Sequence, residues 1–289
     1  MPTFETPRPL TITVDLTVGD VRITAADRPD TVVTVVPADP TRAADVTAAH
    51  DIRVEHADGR LTISAPKQWK RFSPFDRSGS VQVTIDVPTG SHLDASTSLG
   101  DLHVEGELGR CQLKTAMGDI RLDHAAVLAL KTGHGNVDVD RVEGDADIKT
   151  GSGDVRLGTI AGAAIVRNSN GATTIAHIGG DVRVKAANGS ISIARADGSV
   201  VAKTANGSID VGELRRGVAE LETAAGDLSC GVADGTAVNL DVRSRFGRIH
   251  SDLDASDGPA PTDEVVELHA HTSAGDITLH RTDGRASAA

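Results

Sequence analysis

The sequence predicts an all-β chain whose central part is a parallel β-solenoid of about eighteen-residue coils. Three observations carry this prediction. A short phrase returns at an almost constant step, a second phrase is locked to the first, and the composition suits thin stacked coils.

The first phrase is Gly, a small polar residue, then apolar-x-apolar. It reads Gly100-Asp101-Leu102-His103-Val104, Gly118-Asp119-Ile120-Arg121-Leu122, Gly135-Asn136-Val137-Asp138-Val139 and Gly153-Asp154-Val155-Arg156-Leu157. A degenerate copy starts at Gly171, and full copies follow at Gly189, Gly207 and Gly226. From Gly100 to Gly226 the steps are 18, 17, 18, 18, 18, 18 and 19 residues. Weaker or displaced copies stand at Gly19, Gly247 and Gly275.

The second phrase precedes each glycine by about four residues: Lys114-Thr115, Lys131-Thr132, Lys149-Thr150, Arg167-Asn168, Lys185-Ala186 and Lys203-Thr204. An apolar-x-apolar doublet runs into most of these pairs, as in Val182-Arg183-Val184. Each unit therefore holds two runs of period two, such as Val182 to Ala186 and Ile191 to Arg195, joined by turn residues. Period two marks a strand with one buried face. An antiparallel meander turning at Asn170-Gly171, Asn188-Gly189 and Asn206-Gly207 is the rival architecture. The recurrence of Lys over Lys and Gly over Gly favours the solenoid, because stacking sets identical side chains against each other about 4.8 Å apart.

The composition agrees. Of 289 residues 39% are hydrophobic, 30 are Gly, and aromatics number four Phe, one Trp and no Tyr. Small branched side chains fill a narrow interior, and Gly serves frequent tight corners.

Ahead of the repeats, Leu10 to Leu16, Thr31 to Val36, Asp51 to His56, Leu61 to Ala65 and Val81 to Val87 read as strands. The Ala-rich run up to His50 reads as one short helix with Asp39 as N-cap and Pro40 at its first position. The organisation expected is an irregular β-rich start or cap over 1–95, repeats over 96–280 and a disordered tail over 281–289. Toward the C-terminus the glycine steps lengthen to 21 and 28, and an acidic loop, Asp252 to Glu264, interrupts the pattern.

Serial Gly-Asp-(Ile/Val)-x-(Ile/Val) units with Lys-Thr-x-x-Gly between them resemble a bacterial β-strand-repeat family of unknown function labelled "putative adhesin". The resemblance runs from Val18-Gly19-Asp20-Val21 to Thr272-Ser273-Ala274-Gly275-Asp276-Ile277. It implies the repeat fold and brings no catalytic residues with it.

Charge limits the function. Lys plus Arg number 29 against 41 Asp plus Glu, a net charge of −12, which works against a nucleic-acid partner because phosphate neutralisation dominates that affinity. Cys111 and Cys230 form no CxxC pair and, lying many coils apart, are expected not to bridge. The N-terminus lacks a basic region followed by an unbroken apolar one, and no stretch reaches membrane-spanning length, so the expected address is the cytoplasm.

Candidate sites are few. Lys114, Lys131, Lys149, Arg167, Lys185 and Lys203 would stack as a basic ladder along which a polyanion could lie; the alternative is a solvated face neutralised by Asp119, Asp154 and similar residues. Gly151-Ser152-Gly153-Asp154 invites comparison with calcium-binding nonapeptides, but each coil supplies too few carboxylates for calcium. His269 and His271 share one strand face without a third ligand, so no metal and no cofactor is expected. The segment Pro66 to Arg77 departs from its surroundings. It holds Trp69, Phe72 and Phe75 with Lys67, Lys70, Arg71 and Arg77 against one Asp, a partner-contact composition. Short turns leave little to wall a catalytic pocket. The sequence thus reads as a non-enzymatic structural or interaction module, a rigid β-rod contacting a protein, a membrane surface or a polyanion. A scaffold polymerising end to end and a polysaccharide-acting β-helix enzyme are the rivals.

Overall fold

The computed structural model describes residues 2–66, 79–253 and 264–282. The chain forms two compact units, Met1–Glu143 and Gly144–Ala289.

In the first unit β1 (Thr3–Glu5), β2 (Thr11–Asp15), β3 (Gly19–Ala26) and β4 (Asp30–Pro37) precede helix α1 (Ala43–Asp51). β5 (Arg53–Ala57) and β6 (Arg60–Ser64) form a hairpin, and β7 (Val81–Pro88) and β8 (His92–Leu99) follow. β9 (Leu102–Met117), β10 (Ile120–His134) and β11 (Val137–Val142) complete it. Two parallel stacks run through this unit. One is β6-β2-β8-β9-β10, the other β7-β3-β9-β10-β11, and β9 and β10 are long enough to turn a corner and serve both.

The outermost strands reverse direction. β4 runs antiparallel to β7, β1 antiparallel to β4, and β5 antiparallel to β6. Helix α1 packs on β4 and β7. It begins at Ala43, later than expected, with Arg42 at the N-cap. Asp39 does not cap it: its carboxylate accepts bonds from the backbone N–H and hydroxyl of Thr41, closing a local turn. The anchoring residue is Asp45, buried at 1% exposure, which accepts from the backbone N–H groups of Asp39 and Ser80.

In the second unit each coil is a strand pair: β12 (Ala146–Ser152) with β13 (Val155–Ile160), β14 (Ala164–Asn170) with β15 (Thr173–Ile178), and β16 (Val182–Asn188) with β17 (Ile191–Ala196). β18 (Val200–Asn206) with β19 (Ile209–Leu214) and β20 (Gly217–Ala225) with β21 (Leu228–Ala233) continue the series. Every pairing is parallel, and all keep one register except β19 with β21, which shifts between Val211 and Leu214; the meander is excluded. Val182 and Val184 are buried while Arg183 and Lys185 are exposed, the alternation that period two demands.

At the end of this unit space and sequence part company. β22 (Thr236–Phe246) and β23 (Ile249–Ser251) come first along the chain, then β24 (Glu264–Ala274) and β25 (Ile277–Thr282). Yet β24 lies between β20 and β22, and β25 between β21 and β23. The last coil in sequence is inserted beneath the one before it. The displaced copies at Gly247 and Gly275 belong to these two coils in exchanged order.

Candidate functional site

The repeat phrases resolve into columns of bonds between coils. At the Gly-Asp corner the backbone needs positive φ, +150° at Gly118 and +144° at Gly189, and a Cβ at either would run into the carbonyl oxygen of the glycine on the neighbouring coil. Only glycine combines that dihedral with that approach. In several coils a buried threonine at this place donates its hydroxyl to such a glycine carbonyl: Thr115 to Gly100 at 3.3 Å, Thr204 to Gly189 at 3.2 Å, Thr223 to Gly207 at 2.9 Å and Thr272 to Gly226 at 3.0 Å; the buried Thr150 hydroxyl does not. Asn168 substitutes its amide, donating to Gly153 at 3.1 Å.

The aspartates are committed in the same way. Asp20 Oδ1 accepts from the backbone N–H of Asp101 (3.0 Å), Asp101 from that of Asp119 (2.8 Å), and Asp119 from that of Asn136 (2.7 Å). In the second unit Asp154 accepts from Ala172 (3.0 Å), and Asp227 from Asp276 (2.8 Å). Asp145 and Asp181 repeat the bond at the opposite corner, to Ala163 and Ser199. A carboxylate bonded to an N–H on the next coil is a splint, and that is the use of Asp154 in the calcium-like Gly151–Asp154 segment. Asn170, Asn188 and Asn206 form an amide ladder with 2.9 Å steps.

The basic ladder forms in register. Lys114 stands beside Lys131 in the first unit, and Lys149, Arg167, Lys185 and Lys203 follow one another in the second. Its neutralising partners differ from those expected. Asp119 and Asp154 are splints at the glycine corner, whereas Asp147, two residues before Lys149, meets Lys149 at 3.2 Å and Arg167 at 3.3 Å. Lys203 is held by Glu220 (2.6 Å) and Glu222 (2.8 Å). These bonds raise the Lys203 pKa, and the bond from Lys203 lowers that of Glu220. Lys185 has no carboxylate in reach among the described residues. A shallow cleft of about 350 Å³ runs over Lys149, Arg167 and Lys185, floored by Asn168 and Ala186.

A second file was missed by the sequence reading. Arg22, His103 and Arg121 lie side by side in the first unit and face a groove of about 420 Å³ shared with Gln82 and Thr84. Its signal was the third residue after each glycine, in Gly19-Asp20-Val21-Arg22 and Gly118-Asp119-Ile120-Arg121. The splint carboxylates of Asp20, Asp101 and Asp119 line the same groove, so its charge is mixed.

The other candidates fall apart or lie elsewhere. His269 Nε2 pairs with Glu267 at 3.0 Å, and His271 stands 3.7 Å from Asp241. No three His, Cys, Asp or Glu side chains converge to hold a metal among the described residues. Asp197 gathers His177 (2.9 Å), Arg195 (3.1 Å) and Arg215 (3.7 Å). Burial works to raise its pKa, but the bonds from His177 and Arg195 outweigh that and hold the carboxyl below the usual range. Cys111 and Cys230 are free and buried, and burial pushes each thiol up to about 12. Trp69, Lys70, Arg71, Phe72, Phe75 and Arg77 lie outside the described residues, as do most of the acidic loop and the C-terminal tail. No helix among the described residues is long and apolar enough to cross a membrane.

The family model for Toastrack DUF4097 matches residues 10–287. The chain belongs to the Toastrack DUF4097 family. The Toastrack chain is similar to a solved structure described as a putative adhesin from Bacteroides fragilis, at 16% identity over 97% of this chain and 95% of that one, with a TM-score of 0.35. A putative adhesin from Parabacteroides distasonis matches at 14% identity, 97% and 95% coverage and a TM-score of 0.29. A putative lipid binding protein from the same species matches at 12% identity, 98% and 96% coverage and a TM-score of 0.29. No curated protein matches the chain.

Proposed function

We propose that this Toastrack chain is a non-enzymatic interaction module, a stack of coils whose outer face presents the Lys149–Arg167–Lys185 file to a polyanion. One observation carries the reading. Asp154, Asn168 and Asn170 of the repeat phrases are committed to bonds between coils, while Lys149 and Arg167 share the single carboxylate of Asp147 and, with Lys185, face outward over a shallow cleft. Evenly stacked charges suit a polymer with its own repeat. They do not suit a small substrate, which needs converging groups in a concave pocket.

The net charge of −12 opposes such a partner at long range, so binding is weak and confined to low ionic strength. The Trp69 segment enters the proposal on its +3 local charge and aromatic content alone. Retention on immobilised dextran sulfate tests the file. The wild type should bind reversibly and elute with modest salt, and the variant carrying Lys149→Gln, Arg167→Gln and Lys185→Gln should pass through while melting normally. Equal retention of the two proteins, or no retention of the wild type, overturns the reading. Iodide quenching of Trp69 that falls when soluble dextran sulfate is added would extend the contact to that segment.

A further inference from the structure

The open edge of the last coil in space goes beyond that reading. β22 pairs with β24 along one side, and no strand pairs with its other side among the described residues; β23 is in the same position beyond β25. About half of the backbone N–H and C=O groups of this eleven-residue strand thus point away from β24 with no strand to meet them. The core column is open here as well. Leu268 beneath is fully buried, whereas Leu240 stacked on it is 41% exposed, Ile249 is 50% exposed and Phe246 73%. β22 lacks the backbone defences of a free edge: it holds no Pro, and its pairing with β24 runs without a register shift; its charges, Asp241, Arg243 and Arg245, are of both signs.

We propose that two copies of the chain join through β22, antiparallel about a two-fold axis, to give a closed dimer. The charges of the strand are self-complementary in one register. Centred on Val242, antiparallel pairing sets Asp241 opposite Arg243 of the second copy, and Arg243 opposite its Asp241. Asn239 then faces Arg245, Leu240 faces Ser244 and Val238 faces Phe246, so apolar positions stay on the core side and no like charges are opposed. Centring one residue later would set Arg243 against Arg243, and one residue earlier Asp241 against Asp241. Isologous pairing of this kind uses one surface and closes. Open-ended growth would need a second receptive edge. The outer strands of the first unit offer a poor one, because β5 presents exposed Arg53 and Glu55, and β1 and β4 reverse the strand direction.

The test is the mass of the full chain by sedimentation and light scattering across a concentration series. The expected result is a reversible monomer–dimer equilibrium that stops at twice the chain mass. Asp241→Arg opposes two arginines in the homodimer, and Arg243→Asp opposes two aspartates, so each should weaken self-association by about tenfold or more. An equimolar mixture of the two variants restores both opposite-charge pairs and should dimerise again as a one-to-one heterodimer, a result that misfolded variants cannot give. The proposal is overturned if the wild type stays monomeric up to its solubility limit, if its mass grows without limit, or if mixing restores nothing. It is also overturned if dimers appear only when residues after Thr282 are removed, since the chain's own C-terminal segment is then the occupant of that edge.

Discussion

The two terminal regions of the molecule solve the same problem differently. The stack in the first unit begins under reversed strands, a helix and a rim of charge, with Phe4 against His56 at 4.9 Å and Asp45 bonding the helix to Asp39 and Ser80. The second unit ends in a straight parallel strand whose core column lies open at Leu240 and Ile249. Stacked coils carry their hydrogen-bonding potential at the ends, so each end must be blunted or used. The first end is blunted with irregular sequence. The last has only repeat sequence, and repeat sequence always leaves an edge like the one it covers.

The interior between these regions supplies the reference for breaking the comparison. Val184→Asp buries an unpaired carboxylate between coils and should cost several kcal/mol in chemical denaturation. A loss comparable to that of an exposed-site variant would show that the inward and outward faces are misassigned. Next in size, Leu268→Ala should cost about 2–5 kcal/mol, while Leu240→Ala, measured in the Asp241→Arg background, should cost well under half as much. Equal losses would mean that β22 is covered in the monomer and that the end is not open.

Asp45→Ala strands two half-buried backbone N–H groups and should cost about 1–3 kcal/mol, with faster hydrogen exchange confined to α1 and its neighbours. If exchange rises evenly along the chain instead, the first end is not a separate cap. Acid should discriminate in the same way. The carboxyls of Asp197 and Asp276 are depressed in the folded state, so each stabilises above its ordinary pKa and loses that contribution as pH falls through the folded value. Asp197→Asn should therefore flatten the acid limb of the stability curve, and Asp276→Asn, on the exposed corner of the open end, should flatten it less. The reverse ranking would place the stronger ion cluster at the end. Smallest of all, Lys185→Gln should move stability by less than about 0.5 kcal/mol. A larger shift in melting temperature would give the ladder a structural use in place of a binding one.

Some of this was legible in the residues and some was not. The register of Lys149, Arg167, Lys185 and Lys203 was readable because a parallel stack copies its columns from coil to coil. Which carboxylate each cation meets was not readable: Asp154 looked like a neutraliser, but its distance in sequence from Lys149 says nothing about the corner between them. Arg22, His103 and Arg121 went unnoticed because Arg22 is some eighty residues from its neighbours in the file and separated from them by the cap. Helix α1 was found and its start misplaced, since Asp39 had a nearer partner in Thr41 than the helix N-terminus.

The strands of the repeats, their buried faces, the glycine corners and the spacing of the coils could be read from the residues; ahead of the repeats β1, β3 and β8 could not, and Asp51 ends the helix instead of opening a strand. The legible features follow from alternation and from the steric demands of single residues, which are local. The order of the last two coils, by contrast, is a matter of packing between coils distant in the chain. The coil of β20 and β21 offers its neighbour a glycine carbonyl at Gly226, an aspartate acceptor at Asp227 and an apolar column, none of which by itself decides between the coil at Gly247 and the one at Gly275. The choice falls on the second: its Leu268 and Ala270 lie buried between two coils, while Leu240 and Ile249 of the first remain at the edge, where what covers them is no longer written in the repeat.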